Sequence, residues 1–245
     1  MCLVTFALGS SAAYQLVFAA NRDELHTRPT AAADWWPEPA SILGGRDLLA
    51  GGSWLAVDRR GRLAAVTNIP SDDVRENARS RGDLVREFLS GDRTAADFVA
   101  TVSAEIDDYR PFNFLAFDGR ELHFAGSNDA PQPFEPGVHA LSNAPLGANW
   151  PKIDAARDGL AENLEIENLE EGLFALLASD ADDTEGPNDR LSRRKKIFVK
   201  DARYGTRSST VVLLSADGDL RFVERNFSAA GTRNGERVHE FRTDT

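Results

Sequence analysis

Short apolar runs recur along this chain in pairs, each pair separated by a few turn-forming residues, and that spacing is the strongest limit on what it can fold into. Residues 3–8 and 15–20 flank the turn 9–14; residues 54–57 and 62–67 flank Asp58-Arg-Arg-Gly61; residues 112–117 and 122–125 flank Asp118-Gly119. Near the end, residues 208–214 and 220–227 join through Ala216-Asp-Gly-Asp219. Apolar runs this short, bounded by Gly and Asp, read as strands, and such brief connections impose antiparallel pairing because a parallel crossover needs far more chain. Helical periodicity lies between these runs, over about residues 82–89, 94–106, 151–164 and 169–178. Thr94-Ala-Ala-Asp97 resembles a capping box with Asp in place of Glu, and Pro151 suits a first helical turn. A further strand is expected at 196–200, so the order reads sheet, helices, sheet. That is an α+β chain, and with no Pro/Gly/Ser linker dividing its 245 residues the expectation is a single domain over 1–245.

A hydrophobic fraction of 42% allows a sizeable core. No apolar run approaches a membrane span, and residues 1–9 lack the basic region and cleavage site of a secretory signal, which predicts a cytoplasmic protein with no membrane span. One cysteine excludes an internal disulfide, and the four histidines (His26, His123, His139, His239) do not approach zinc-like spacing with it, so no metal is expected. The net charge of −11, from 39 acidic and 28 basic residues, argues against a nucleic-acid partner. Only Lys152, Lys195, Lys196 and Lys200 are lysines, a bias that suits a salt-adapted or GC-rich source. The basic run 190–196 is either an anion contact or, more simply, a solvated face neutralising the acidic loop 179–189. Oligomeric state is not legible.

Cys2 is the lone thiol. Removal of Met1 would leave an α-amine and a thiol on one residue, a nucleophile with its own base, since an α-amine ionises near roughly 7.7 to 8. The plain alternative is a small apolar residue starting a strand. If the first turn is centred between residues 11 and 12, cross-strand partners sum to about 23, which sets Cys2 opposite Asn21 and diagonal to Asp23. Asn21-Arg22-Asp23-Glu24 therefore ends an apolar strand beside the amino terminus. A carboxylate there can hold a protonated amine and an arginine can steady the thiolate, though a polar strand end entering solvent has the same composition.

Taken in order, Met1-Cys-Leu-Val-Thr-Phe-Ala7, Ala19-Ala-Asn-Arg-Asp-Glu24, Arg28-Pro29, Gly45-Arg-Asp47, Ala50-Gly-Gly-Ser-Trp54, Ala65-Val-Thr-Asn68, Leu141-Ser-Asn143, Trp150-Pro-Lys152 and Tyr204-Gly-Thr-Arg-Ser-Ser-Thr210 resemble the NRDE family, also called the transport and Golgi organisation family. The likeness runs from residue 1 to about 227. Ser53 departs from it, standing where Thr is expected and keeping the hydroxyl. The family pattern is in turn similar to the N-terminal nucleophile hydrolases of the penicillin V acylase and bile salt hydrolase type. That resemblance implies a four-layer αββα sandwich, two antiparallel sheets packed face to face and covered by helices. It implies Cys2 as nucleophile, Asp23 as the carboxylate on the α-amine, and Arg207 as the arginine beside the nucleophile. The Asn68 backbone N–H and the Asn143 side-chain amide match the oxyanion donors. Arg22 matches less closely, because the acylase arginine is spaced differently from the aspartate.

Asn21, Arg22 and Trp54 are the candidate substrate contacts. Gly51-Gly-Ser-Trp54 reads more readily as a tight turn with a core tryptophan, leaving Trp35 and Trp36 as exposed-loop candidates for ligand contact. Asn68 and Asn143 also suit ordinary turns at strand ends, and Arg207 a strand cap or a bridge to Asp23. Two functions fit. One is an amide or thioester hydrolase acting on a small acyl compound through a Cys2 thioester, with no cofactor required. The other is a carrier in the same pocket for haem, lipid or acyl-CoA, as the resemblance implies, although a cysteine with no neighbouring histidine is a thin haem site.

Overall fold

The computed structural model describes residues 2–72, 77–179 and 192–244. In chain order it contains β1 (Leu3–Leu8), β2 (Tyr14–Leu25), β3 (Thr30–Trp35), β4 (Ile42–Asp47), β5 (Leu55–Asp58), β6 (Leu63–Asn68), α1 (Arg81–Ser90) and α2 (Ala95–Ala104). There follow β7 (Phe112–Phe117), β8 (Leu122–Gly126), β9 (Asp129–Pro133), β10 (Gly137–Ser142), α3 (Pro151–Asn163), α4 (Leu169–Leu177), β11 (Tyr204–Ser215), β12 (Asp219–Phe227) and β13 (Arg233–Arg242). These elements group into two compact units. One comprises Met1–Thr27, Pro136–Ser142 and Gly147–Glu240; the other comprises Arg28–Glu135, Asn143–Leu146 and Phe241–Thr245.

The first unit is built on a six-stranded sheet in the order β10-β1-β2-β11-β12-β13. Its β1–β2 hairpin pairs Leu3 with Asn21 and Leu8 with Leu16, one residue away from the expected register. The turn is centred on residue 12 because Gly9, in the left-handed region at φ 56°, closes it by donating its N–H to the Gln15 carbonyl. Arg22 thus falls level with Cys2, and Asp23 lies one step beyond.

Alternation divides the apolar residues of this sheet between two faces. Ala7, Val17, Ala19, Val211, Leu213 and Val223 pack against Leu160 of α3 and Leu169, Leu173, Phe174 and Leu177 of α4. The opposite face carries Phe6, Phe18, Leu16, Val212 and Phe222, also buried, with Phe6 stacked on Phe18. Each such side chain contributes about 1.5–3 kcal/mol on leaving water.

Helix α3 begins at Pro151, whose missing N–H is no loss in a first turn, and buries Lys152, Ala156 and Leu160 at successive turns. Thr5 Oγ1 donates to the Ala156 carbonyl at 3.2 Å, and Leu3 packs on Ala156. Leu160 meets Ala7. Four helical residues rise about 6 Å and two strand residues about 6.6 Å, so α3 keeps step with β1 and brings Lys152 to the end of the strand where Cys2 stands.

The second unit is a seven-stranded meander, β3-β4-β5-β6-β7-β8-β9. Leu84, Val85, Phe88 and Leu89 of α1 and Phe98, Val99 and Val102 of α2 form one core with Phe112, Phe114 and Ala116 of β7. The expected cap is present: Thr94 Oγ1 accepts from the Asp97 N–H at 3.1 Å.

Several expectations are corrected. Residues 196–200 form no strand: Val199 and Thr206 exchange one backbone bond, but the return bond goes to the Thr206 hydroxyl, so no ladder propagates. Strands β7 to β10 intervene between the two helix pairs, which replaces the sheet, helices, sheet order. Trp35 ends β3 and packs against Phe241, with the Arg59 guanidinium 4.0 Å from its ring centre. Trp36 is 3% exposed and donates Nε1–H to the Gly44 carbonyl, so neither tryptophan is an exposed-loop residue. Apart from Ser179, the acidic loop 179–189 lies outside the described residues, as does Arg190. Of the basic run, Arg193 lies over the Tyr204 ring and Arg194 over the Trp150 ring. Among the described residues no helix is long and apolar enough to cross a membrane.

Candidate active site

In the first unit the motif Asn21-Arg22-Asp23 sends its side chains alternately to the two faces of β2. Asn21 and Asp23 point to the helix-covered face. Asn21 is 1% exposed: its amide donates to the Leu177 carbonyl at 2.8 Å and the Ile197 carbonyl at 3.0 Å, and its Oδ1 accepts from Ser209 Oγ at 2.6 Å. It ties the end of α4 and the segment before β11 to the centre of the sheet. Asp23 Oδ1 accepts from Thr206 Oγ1 at 2.7 Å, and the Asp23 carbonyl accepts from Tyr204 Oη at 2.8 Å. The Cys2 carbonyl accepts from Ser142 Oγ, which fixes the backbone at the start of β1 to the end of β10.

Lys152 enters from α3. It is 0% exposed, and its Nζ has no hydrogen-bond partner among the described residues, lying 5.8 Å from the Trp150 ring centre. Burial holds its amine below the ordinary 10.5, while the charges of Asp23 and Cys2 pull it up. Burial holds the Asp23 carboxyl above its ordinary 3.8, against the lowering pull of the positive amino terminus, Lys152, the Thr206 hydroxyl and Arg193. Desolvation outweighs the mutual attraction on both sides, and each partner is displaced toward its neutral form.

Arg22 points to the other face. Ser208 is its neighbour on β11, and Thr210 and Glu224 are opposite one another on β11 and β12. All four are at least nine-tenths buried, giving the apolar sheet a polar end beside Cys2. Arg207 occupies the β-bulge between Thr206 and Ser208, and its Nη1 donates to the Leu25 and His26 carbonyls at 2.9 and 3.2 Å. It gathers the end of β2, a strand-capping role.

In the second unit Asn143 Nδ2 donates to the Asn68 carbonyl, so the two candidate oxyanion donors are held together. Asn113, buried on β7, supports both segments, donating Nδ2–H to Thr67 Oγ1 at 3.2 Å and to the Ala144 carbonyl at 2.8 Å. Trp54 stands in the same unit just before β5, half-buried, its carbonyl accepting from the Val66 N–H at 2.8 Å. The tight turn before it is as expected, with Gly51 at φ 80°.

Sequence reasoning missed Lys152, Ser208, Thr210, Glu224 and Asn113 as members of these groups. One signal was present: a lysine placed at the i, i+4, i+8 spacing of the apolar stripe of a helix, in a chain that otherwise uses arginine.

These two helix-backed antiparallel sheets define an α+β protein with the fold of the N-terminal nucleophile hydrolases. A solved Caenorhabditis elegans N-acylethanolamine-hydrolyzing acid amidase ortholog superposes with a TM-score of 0.52 at 13% identity, over 86% of this chain and 92% of that one. The chain belongs to the Transport and Golgi organisation 2 family, whose model it matches over residues 1–229. The Transport and Golgi organization protein 2 homolog of Bos taurus is 35% identical over 273 residues, covering 99% of each chain. The Homo sapiens homolog is 33% identical over 272 residues, covering 98% of this chain and 99% of its own.

Proposed function

We propose that this chain is an acyl hydrolase in which Cys2 attacks the carbonyl of a small amide or thioester and holds the acyl group as a thioester until water releases it. The observation that carries this reading is the β1–β2 hairpin, which sets Cys2 level with Arg22 and one residue from Asp23, a buried carboxyl on which the positive amino terminus acts. The amidase ortholog on the same fold supports the reaction class. With Met1 removed, the Cys2 amine takes the thiol proton and Asp23 holds the resulting cation. Asn68 and Asn143 are the proposed donors to the oxyanion, where one donor is worth about 100-fold in rate. Arg22, with Thr210 and Glu224 on its sheet face, is assigned to a polar part of the substrate and Trp54 to an apolar part. Asn21 and Arg207 serve through the frame they hold. The chemistry uses no metal or cofactor, and the cytoplasm, where a thiol stays reduced, is its proposed setting, with residues 1–245 as one functional domain.

Intact mass spectrometry after exposure to p-nitrophenyl acetate tests the reading. One acetyl group should appear on Cys2 and none in Cys2→Ala. An unlabelled chain that takes up haem or lipid stoichiometrically would replace the hydrolase with a carrier.

A further inference from the structure

We propose that Asn113 is the positioning residue of the oxyanion site: through one buried amide it fixes the strand end that carries Asn68 to the turn that carries Asn143. This rests on the hydrolase reading above, which assigns those two residues as donors, and every contact it uses lies within the second unit. Asn113 is 1% exposed on a strand otherwise made of Phe, Leu and Ala, a place where an amide is costly unless its hydrogen bonds are made. Its Nδ2 donates to Thr67 Oγ1 at 3.2 Å and to the Ala144 carbonyl at 2.8 Å. The two hydrogens of one nitrogen thus go to the residue before Asn68 and the residue after Asn143. Asn143 Nδ2 donates to the Asn68 carbonyl and closes the ring. Gly126 stands opposite Asn113 on β8, and a Cβ there would lie 3.2 Å from Asn113 Oδ1, so the missing side chain gives the amide its room.

The β6–β7 ladder leaves Asn68 dependent on this ring. The Ile69 N–H donates to the Pro111 carbonyl at 2.9 Å, so by alternation Asn68 and Phe112 form a non-hydrogen-bonded pair, and the Asn68 N–H and C=O both point away from β7. They point the same way as those of Val66, whose N–H donates to the Trp54 carbonyl at 2.8 Å. Beyond Trp54 the neighbouring chain turns off toward α1, where the Ser53 N–H donates to the Gly82 carbonyl at 3.2 Å. Asn68 therefore stands past the end of β5, and the Asn143 amide meets its carbonyl there. That amide carries two hydrogens: the bond to Asn68 uses one and sets the other on the edge of β6 that the Asn68 N–H shares. Two donors on one edge suit the oxygen that gains charge as the thiol adds to an acyl carbonyl, and a misplacement of about 1 Å costs about 100-fold in rate. Asn113 acts through Asn68 and Asn143 by preventing such a misplacement.

The test follows acetylation of Cys2 by p-nitrophenyl acetate, read by intact mass across pH, in the wild type, Asn113→Ser, Asn143→Ala and the double variant. Serine is neutral and too short to span both partners of the amide. Asn143→Ala should label about 100-fold more slowly and Asn113→Ser about 10-fold more slowly, each with the pH midpoint of labelling unmoved, since neither change touches the ionisation of the thiol. The double variant should lose less than about twofold beyond Asn143→Ala, because the donor that the ring holds is already gone. A further loss of about 10-fold would mark an independent structural effect and overturn the proposal. So would a wild-type rate in Asn113→Ser or in Asn143→Ala, or a shifted midpoint, while labelling of Cys2 in the wild type would leave the hydrolase reading in place; a wild type that acquires no label at any pH would remove both. If Asn113→Ser does not fold, Thr67→Val decides. It keeps the shape of the side chain, removes the acceptor of one bond and should label about 3-fold more slowly, with Thr67→Ser restoring the rate. Equal rates in Thr67→Val and the wild type would overturn the role of Asn113.

Discussion

Replacing Asn21 by alanine removes three buried hydrogen bonds at once, at 2.8, 3.0 and 2.6 Å. It strands the Leu177 and Ile197 carbonyls and the Ser209 hydroxyl. Leu177 is the last residue of α4, so its carbonyl has no partner within the helix and depends on this amide. At about 1 kcal/mol net per bond, and more where a buried partner is orphaned, the loss comes to about 3–5 kcal/mol. For a chain of this size each kcal/mol moves the melting midpoint by about 2–4 °C, so the midpoint should fall by roughly 6–20 °C. Scanning calorimetry or fluorescence-monitored melting at neutral pH measures it directly. Ser209→Ala is the internal control: it removes only the bond to Oδ1 and should cost about 1 kcal/mol. The double variant should lose less than the sum of the two, because the bond they share can be broken only once. A fall below about 2 °C in Asn21→Ala would show that this asparagine does not hold α4 and the following segment to the sheet, and strict additivity with Ser209→Ala would show that the two side chains share no bond.

Burial raises the Asp23 carboxyl above 3.8, so the stability that its protonation supplies is fully present below that pH and is lost as pH rises through the folded value. Asp23→Asn abolishes that loss, and its melting midpoint relative to the wild type should rise from pH 4 toward neutrality; parallel curves across that window would contradict the assignment. Gly52→Ala would set its Cβ 2.4 Å from the Gly82 carbonyl carbon and 2.5 Å from its oxygen, backbone atoms that cannot swing aside. Overpacking of that kind costs about 1–3 kcal/mol or more, and an unchanged melting midpoint would refute the close approach.

What the sequence made legible follows the range of the forces involved. The β1–β2 hairpin, the Thr94 cap and the Pro151 helix start are settled by residues close in the chain, and all were expected from it. The register missed by one because Gly9 extends the turn, a backbone event that apolar spacing does not encode. Strand β13 went unseen since none of its residues is buried and its two large apolar side chains, Val238 and Phe241, are too far apart to form an apolar run. Residues 196–200 misled for the opposite reason: Ile197, Phe198 and Val199 are buried like a strand, but they fill the core without a ladder. The candidate site was legible on one side only. Cys2 and Asp23 are set one register step apart by a hairpin, whose arithmetic can be done on paper, whereas Lys152 arrives at that end of the sheet only because α3 keeps step with β1 across Thr5, Ala156 and Leu160. A lysine on an apolar helical stripe is the trace such an arrangement leaves in sequence. Local rules count that residue as a defect in the stripe, and it becomes intelligible only when the strand end opposite it is known to carry a thiol and a buried carboxylate.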